Sequence, residues 1–533
     1  MDKQDTIKAI ESGKTYLGIE FGSTIIKAVL INELHEPIAE GNYFWENKNI
    51  NNIWTYEIDD IWQGLQECYS DLRENVQTQF GVTIRTVSAI GISAMMHGYF
   101  AFDSGMNLLM PFRTWRNAIT AEAASRLTAL FKYNIPQRWS VAHLYQCILD
   151  REEHVHHIAH LETLASYVHR MLTGESVIGI GDASGMFPID AQTKTYDKTM
   201  INAFNELDEV KAYSLKLEHL LPRVLTAGEH AGCLTAEGAR LLDVSGNLQA
   251  GISFCPPEGD GITGMVSTNT VRTGTANVSV GTSIFAMIVL GQELQGVYPE
   301  IDLNMTPTGK LVANVHCNDC TTELNQWVDL FTDFLTLTGT QLDKNQIYTT
   351  LFNQALEGDP DCGNLLSYCF FSGEPMVHLE DAFPMIVKLH DSNFNLPNMM
   401  RSLLYTSFAG IAVGVNLLKE HENIQLVKLM AHGGLFKTPV VAQKLLASAM
   451  KVPVTVMKTA SNGGAWGIAV LASYCKSRED ISFEDWLDKY PFDSSEGVTI
   501  QPDPIDVEGF DRFLERYVHF LPVQYSLANL AKE

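Results

Sequence analysis

Two distant stretches of the chain share one pattern of apolar and small residues. Residues 16–31, YLGIEFGSTIIKAVLI, read as an apolar strand, a Gly-Ser-Thr bend and a second apolar strand, the signature of a β-hairpin. Residues 276–290, ANVSVGTSIFAMIVL, read the same way. Aligning Gly22-Ser23-Thr24 on Gly281-Thr282-Ser283 sets Ile25–Ile31 opposite Ile284–Leu290. The bends stand about half a chain apart, which points to duplication of one large domain, since solenoid repeats have far shorter periods.

Between and beyond these hairpins the period alternates. Helical spacing predicts helices over Asp59–Gln79, from Ala118 onwards including Leu161–Leu172, and over Thr322–Leu337. Apolar runs predict strands at Val87–Ser93, Val427–Ala431 and Val454–Met457, with a hairpin-like segment at Tyr99–Pro111. A long helix is expected over Asn398–Glu420, carrying the small residues Ala409, Gly410, Ala412 and Gly414. Gly433-Gly434 leads into a helix over Pro439–Met450, and Asn462-Gly463-Gly464 opens another over Ala465–Cys475. The order is α/β throughout, and with no low-complexity linker the two halves are expected to pack about a cleft.

Composition narrows the class. The 533 residues are 46% hydrophobic and 19% charged, enough apolar material for buried cores. Length alone suggests about three or four domains, and the repeat reduces this to two. With 37 Lys plus Arg against 63 Asp plus Glu, the net charge is −26, a field that disfavours nucleic acid and anionic lipid as partners. A phosphate ligand therefore needs local attraction from N–H groups, a helix start or a metal ion. The longest aliphatic run, Ile284–Leu290, is too short to span a bilayer, and no leader is visible at the N-terminus. Nine cysteines without regular spacing read as reduced thiols of a cytoplasmic protein. Cys317-x-x-Cys320 reads as ordinary loop thiols, and His154, His156, His157 and His160 as a solvated face beside Arg151, Glu152 and Glu153.

The candidate chemistry sits at turns. Each Gly-Ser/Thr-Ser/Thr bend offers hydroxyls and N–H donors to phosphate oxygens, and two of them could grip a polyphosphate from both sides. Glu20 lies on the same strand face as Gly22 and Thr24, in reach of a metal through water, and Lys27 could neutralise phosphate. Gly433-Gly434 and Gly463-Gly464 expose bare backbone suited to a nucleotide. Asp260, between Gly259 and Gly261, reads as an exposed turn carboxylate and a candidate general base. Met96-His97-Gly98 and Trp115-Arg116-Asn117 follow strand-like runs and combine groups suited to a polyhydroxylated ligand.

In this order the motifs resemble the FGGY carbohydrate kinases of the actin-like ATPase superfamily, and within them the xylulokinase and ribulokinase group. LGIEFGSTIIKAVLI, GISAMMHG, PFRTWRNA, EGDGITG, VSVGTSIF, FSGE, AHGGLFKTP and SNGGAWGIAVLA follow one another as in that family. The resemblance implies two ribonuclease H-like domains flanking a central cleft, 1–262 mainly for sugar and 263–533 mainly for ATP. It implies ATP-dependent phosphorylation of a ketopentose with Mg²⁺, Asp260 being the catalytic base. Met96, His97, Trp115, Arg116 and Asn117 match sugar-pocket positions, and Gly22, Ser23, Thr24, Lys27, Gly281, Thr282 and Ser283 match the two phosphate loops. Gly433, Gly434 and Gly463 match the adenosine side. Small-molecule sugar and ATP are the expected partners, and a homodimer is compatible with the chain. Three features depart from the pattern: Glu20 stands where the family usually carries Asp, Arg116-Asn117 where xylulokinases carry Asn-Asp, and SVAHLYQ where the family usually shows a Lys followed by apolar residues and Trp. The rival reading is a non-metabolic actin-like ATPase, chaperone-like or filament-forming, which shares the phosphate hairpins without the sugar constellation.

Overall fold

A computed structural model describes residues 2–457, 463–477, 480–493 and 497–531. Asn462, part of the expected helix start, lies outside the described residues. The chain divides into two compact units. The first comprises Met1–Val271, Leu303–Val312 and Ser461–Ser495, the second Arg272–Asp302, Ala313–Ala460 and Glu496–Glu533.

The sheet of the first unit is built on the first hairpin. Strand β1 (Thr15–Phe21) runs antiparallel to β2 (Ile25–Asn32), which pairs with β3 (Pro37–Phe44). On its other side β1 runs parallel to β6 (Ala89–Ala94), which pairs with β7 (Ser253–Phe254) and β8 (Glu258–Gly259). A small hairpin, β4 (Lys48–Ile50) and β5 (Ile53–Thr55), stands off this sheet. Helix α1 (Ile58–Phe80) turns Ile61, Leu65, Leu72 and Val76 inward at helical spacing and shares one apolar core with β1, β2 and β6.

The sheet of the second unit repeats the plan. Strand β9 (Thr275–Val280) runs antiparallel to β10 (Ile284–Val289) and parallel to β13 (Lys428–Gly433). The order is β11 (Ile301–Met305), β12 (Leu311–Cys317), β10, β9, β13, β14 (Val454–Met457) and β15 (Gly497–Ile500), with Leu303–Met305 of β11 and Leu311–Val312 of β12 counted in the first unit. Its core helix, α5 (Leu396–Glu422), is long and apolar enough to cross a membrane, but most of its apolar window is buried inside the protein. Its small residues allow close approach: a Cβ on Gly410 would meet Cys317 Sγ at 2.5 Å.

Three expectations change. The proposed boundary at 262/263 cuts the sequence once, whereas helix α7 (Gly463–Ser477), far along the chain, packs in the first unit. Gly18 on β1 explains this, since a Cβ there would fall 2.0 Å from Ala465 O and bar the helix from the strand. The expected helix Leu161–Leu172 starts later, at Leu164, because Thr163 caps it by accepting from Ser166 N; residues His160–Glu162 form a strand. Gly433-Gly434 leads first into a 3-10 turn, Gly434–Lys437, and the helix α6 begins at Val441 and ends at Met450.

Candidate active site

In the first unit the chemistry gathers at the carboxyl ends of β1, β6 and β8. Asp260 is the first residue of helix α2 (Asp260–Ser267), so the expected exposed turn is a helix start. Its Oδ1 accepts from Gly261 N at 2.8 Å, and Met96 N–H also points at the carboxylate. These donors favour the anion, yet burial outweighs them and raises the pKa to about 6. A carboxylate tuned there is ionised at neutral pH and still basic enough to take a proton. Met96 serves this group through its backbone, while its side chain packs against the Cα of Gly259.

Glu20 ends the same strand face. It pairs across the sheet with Lys27 and Ser93, and its Oε2 accepts from Ala465 N at 3.0 Å at the start of α7, with Gly464 N–H beside it. Burial first, then the charge of Asp260, raise its pKa to about 7. Two buried carboxylates close enough for their charges to interact are the oxygen donors a hard dication takes, and Glu20 would hold it through water. Lys27 pairs with Glu40 at 3.1 Å. Behind these groups Glu258 accepts from Gly181 N and Asp182 N, and burial raises the pKa of Glu258 to about 8 and of Asp182 to about 7. The sequence reading missed this second carboxylate pair; the repeated Gly-Asp motif at 181–182 and 259–260 was its only signal.

The sugar-side candidates converge through short bonds. His97 takes a left-handed conformation, φ 69°, with Nδ1 3.3 Å from Gly185 O. A carbonyl only accepts, so Nδ1 carries the proton and Nε2 is left as an acceptor; burial and Arg138 hold the ring neutral, its pKa lowered to about 3. Tyr99 N donates to Arg113 O, tying this segment to the strand that leads into Trp115. Trp115 is 41% exposed and its indole N–H reaches Ser23 Oγ at 3.3 Å. Arg116 lies 3.7 Å over the Trp54 ring and has no carboxylate partner among the described residues. Asn117 is placed differently from its neighbours. It is buried, and its amide is taken by backbone: Oδ1 accepts from Trp54 N, and Nδ2 donates to Trp54 O and Thr114 O.

In the second unit Gly281, Gly433 and Gly434 lie together, Gly433 pairing with Val280. Beside them opens a cavity of about 510 Å³ lined by Gly281, Thr321, Asn325, Tyr348, Phe352, Gly434 and Lys437, among others. Its volume suits a nucleoside, with aromatic walls and an amide: Tyr348 stands edge-on to Phe352, and its hydroxyl donates to Asn325 Oδ1. Helix α3 (Thr322–Leu337) and α4 (Lys344–Ala355) supply this wall; the sequence reading predicts the first as a helix without a role and does not predict the second. Gly463 is not part of this group. It sits in the first unit, where a Cβ would lie 3.7 Å from Glu20 Oε2, because it opens the helix that caps Glu20.

Two side motifs resolve simply. Cys147, Glu152 and His154 bring donor atoms within 4.8 Å of one another, but the Arg113 guanidinium already bonds both Cys147 Sγ and Glu152. Cys317 and Cys320 are buried, and burial raises both thiols well above their usual range.

The model of the N-terminal domain of the FGGY family of carbohydrate kinases matches residues 15–264, and that of its C-terminal domain matches 276–475. The chain belongs to the FGGY family of carbohydrate kinases. It is 22% identical over 525 residues to a xylulose kinase of Haemophilus influenzae, covering 96% of this chain and 100% of that protein. In fold it is similar to the xylulose kinase of Rhodospirillum rubrum, at 17% identity and a TM-score of 0.77, over 96% of this chain and 99% of that one. The gluconate kinase of Lactobacillus acidophilus matches equally, at 16% identity and a TM-score of 0.77, over 96% and 98%. The actin-like ATPase architecture implied by the family resemblance is the architecture of this FGGY kinase. Family membership selects a sugar kinase over the non-metabolic ATPase.

Proposed function

We propose that this FGGY kinase transfers the γ-phosphoryl group of MgATP to a hydroxyl of a ketopentose such as D-xylulose or L-ribulose. Asp260 takes the proton of the attacking hydroxyl; the new bond forms between that oxygen and the γ-phosphorus, the bond to the β,γ-bridging oxygen breaks, and ADP leaves. The observation that carries this reading is the Asp260 carboxylate, oriented by Gly261 N–H and Met96 N–H and set by burial near pKa 6.

The sugar is assigned mainly to the first unit. His97 Nε2 accepts from a hydroxyl, Trp115 offers an apolar face, and Arg116 a fixed cation, while Asn117 shapes the turn through its backbone bonds. ATP is assigned mainly to the second unit, with adenosine in the cavity beside Gly433-Gly434 and phosphates at Gly281, Thr282 and Ser283. Gly22, Ser23, Thr24 and Lys27 serve the terminal phosphates from the first unit. Glu20 would hold Mg²⁺ through water, and the ion would supply charge neutralisation for a transfer that otherwise depends on positioning.

A coupled ADP-release assay over D-xylulose, L-ribulose, D-ribulose, L-xylulose, gluconate and glycerol tests the reading. A ketopentose is expected to give the highest kcat/KM. Asp260→Asn should lower kcat by about a thousandfold, within the range general-base loss produces, with sugar affinity retained. Near-normal turnover in that variant, or preference for gluconate or glycerol, sinks the assignment.

A further inference from the structure

The first phosphate turn is held entirely from behind. Each carbonyl of its three residues has a donor: Trp45 Nε1 bonds Gly22 O at 2.8 Å, Tyr56 Oη bonds Ser23 O at 2.6 Å, and Trp45 N bonds Thr24 O at 3.2 Å. The two rings stack with centroids 4.0 Å apart and planes at 24°, and both are buried. Gly22 N–H closes the hairpin on Ile25 O and Ser23 Oγ accepts from Trp115, so the N–H groups of Ser23 and Thr24 and the Thr24 hydroxyl remain for a ligand.

The backing continues to the sugar side. Two residues before Tyr56, both peptide groups of Trp54 are clamped: its N–H bonds Asn117 Oδ1 at 2.9 Å, and its carbonyl accepts from Asn117 Nδ2 at 2.8 Å and from Thr114 N at 3.1 Å. The Trp54 ring carries Arg116, and Trp115 returns to Ser23 Oγ. The circuit is closed: Ser23 to Tyr56, along the chain to Trp54, across to Asn117 and Trp115, and back to Ser23.

We propose that Trp45, Tyr56 and Asn117 are positioning residues that set the first phosphate turn and couple it to the Trp115-Arg116 turn. Asn117 is then the keystone of the circuit and makes no bond to sugar. Anything that orders residues 115–117 also stiffens Ser23, so occupancy of the sugar side tightens nucleotide binding, and by linkage the reverse holds. The coupling to sugar rests on the proposed function; the setting of the turn does not.

The test is calorimetric binding of MgADP to the full chain, with and without the best sugar. Tyr56→Phe removes only the hydroxyl and keeps the stack; it should weaken MgADP about fivefold, the scale of one hydrogen bond, and leave sugar affinity unchanged. Asn117→Ala should weaken MgADP to a similar degree, and the double variant should be little worse than either, because both open one circuit. If Asn117→Ala proves unstable, Asn117→Asp keeps the acceptor for Trp54 N–H and loses both donors, and should weaken MgADP part-way. Unchanged MgADP affinity in Tyr56→Phe overturns the proposal, as does an Asn117 variant that raises only the sugar KM. A lower melting temperature with unaltered MgADP affinity would mark a merely structural role and also overturn it. If no sugar stimulates the wild-type protein while MgADP affinity shifts as described, the functional reading falls and the setting of the turn stands.

Discussion

The two Gly-Ser/Thr hairpins look interchangeable in sequence and differ in the fold. In the first, Gly22 N bonds Ile25 O, so two residues, Ser23 and Thr24, form the tip. In the second, Gly281 N bonds Ser283 O, and Thr282 stands alone between them. The residue-for-residue alignment of GST on GTS thus holds for the glycines and slips by one beyond them. Their backing differs too. The first turn rests on the Trp45–Tyr56 stack, the second on the loop before α3, where Cys320 N bonds Thr282 O at 2.8 Å and Thr321 Oγ1 bonds Gly281 O at 2.9 Å. Duplicated domains keep a hairpin because the sheet demands it, while the tip and its support are free to diverge so long as N–H groups still face the ligand.

The sharpest way to break the comparison is at the strand beside each hairpin. Ala94 faces Phe21 in the first unit, and Gly433 faces Val280 in the second. A Cβ at Gly433 would fall 1.9 Å from Val280 O, and its φ of 118° disfavours any side chain. Gly433→Ala should therefore destabilise the second unit by about 3 kcal/mol, a clash plus backbone strain. Hydrogen exchange should show β9 and β13 losing protection while β1 and β6 keep theirs, and MgADP binding should be lost. Equal loss of protection in both units would mean that the hairpins are not independently supported.

Protonation sharpens the same contrast. The catalytic proposal places the base in the first unit, where burial raises Asp260 to a pKa of about 6. The base works ionised, so kcat/KM should fall about tenfold per pH unit below 6 and level off above 7. Stability should move the other way. Asp182 and Glu258 have folded pKa values raised to about 7 and about 8, so the folded state holds protons that the unfolded chain, with ordinary carboxyl values, releases. That stability is fully present below about pH 4 and is lost as the pH rises through 7 and 8. Going from pH 5.5 to 8 should cost the first unit several kcal/mol, on the order of 5 for the two groups together at about 1.4 kcal/mol per proton and pH unit, read as faster exchange at β1. A flat pH–rate profile, or greater stability at pH 8, contradicts the carboxylate cluster.

Much of this was legible because it is local. Period-two apolar runs around small residues mark both hairpins, and the paired glycines mark strand ends. What escaped depends on distant partners. The packing of α7 in the first unit needs Gly18, hundreds of residues earlier, to admit Ala465. Nothing local in the sequence ties Trp45 and Tyr56 to the first bend, and only the fold shows their donors on Gly22 and Ser23. Asn117 reads as a sugar ligand by its place beside Trp115 and Arg116, and only the fold shows its amide spent on Trp54. Asp260 reads as a turn residue because Asp-Gly favours turns, while here the strand β8 feeds it into a helix. The resemblance to the family is carried by motif order, and motif order does not specify which side chains meet substrate.

The smallest expected effect concerns the support of the second turn. Thr321 Oγ1 is one of two donors behind it, and Cys320 N is the other. Thr321→Val keeps the shape and removes only the hydroxyl, so Gly281 O loses its partner while Thr282 O keeps its own. Because Thr321 is partly exposed, water can replace the lost bond, and MgADP affinity should fall only about two- to threefold. Tyr56→Phe should cost more, since the Tyr56 side chain is buried and its hydroxyl makes the shorter bond, 2.6 Å to Ser23 O. If Thr321→Val instead proves the more damaging of the two, the nucleotide depends on the single-residue tip of the second hairpin more than on the aromatic-backed first. The order of these two variants, measured by MgADP calorimetry on the same protein, decides which turn carries the phosphates.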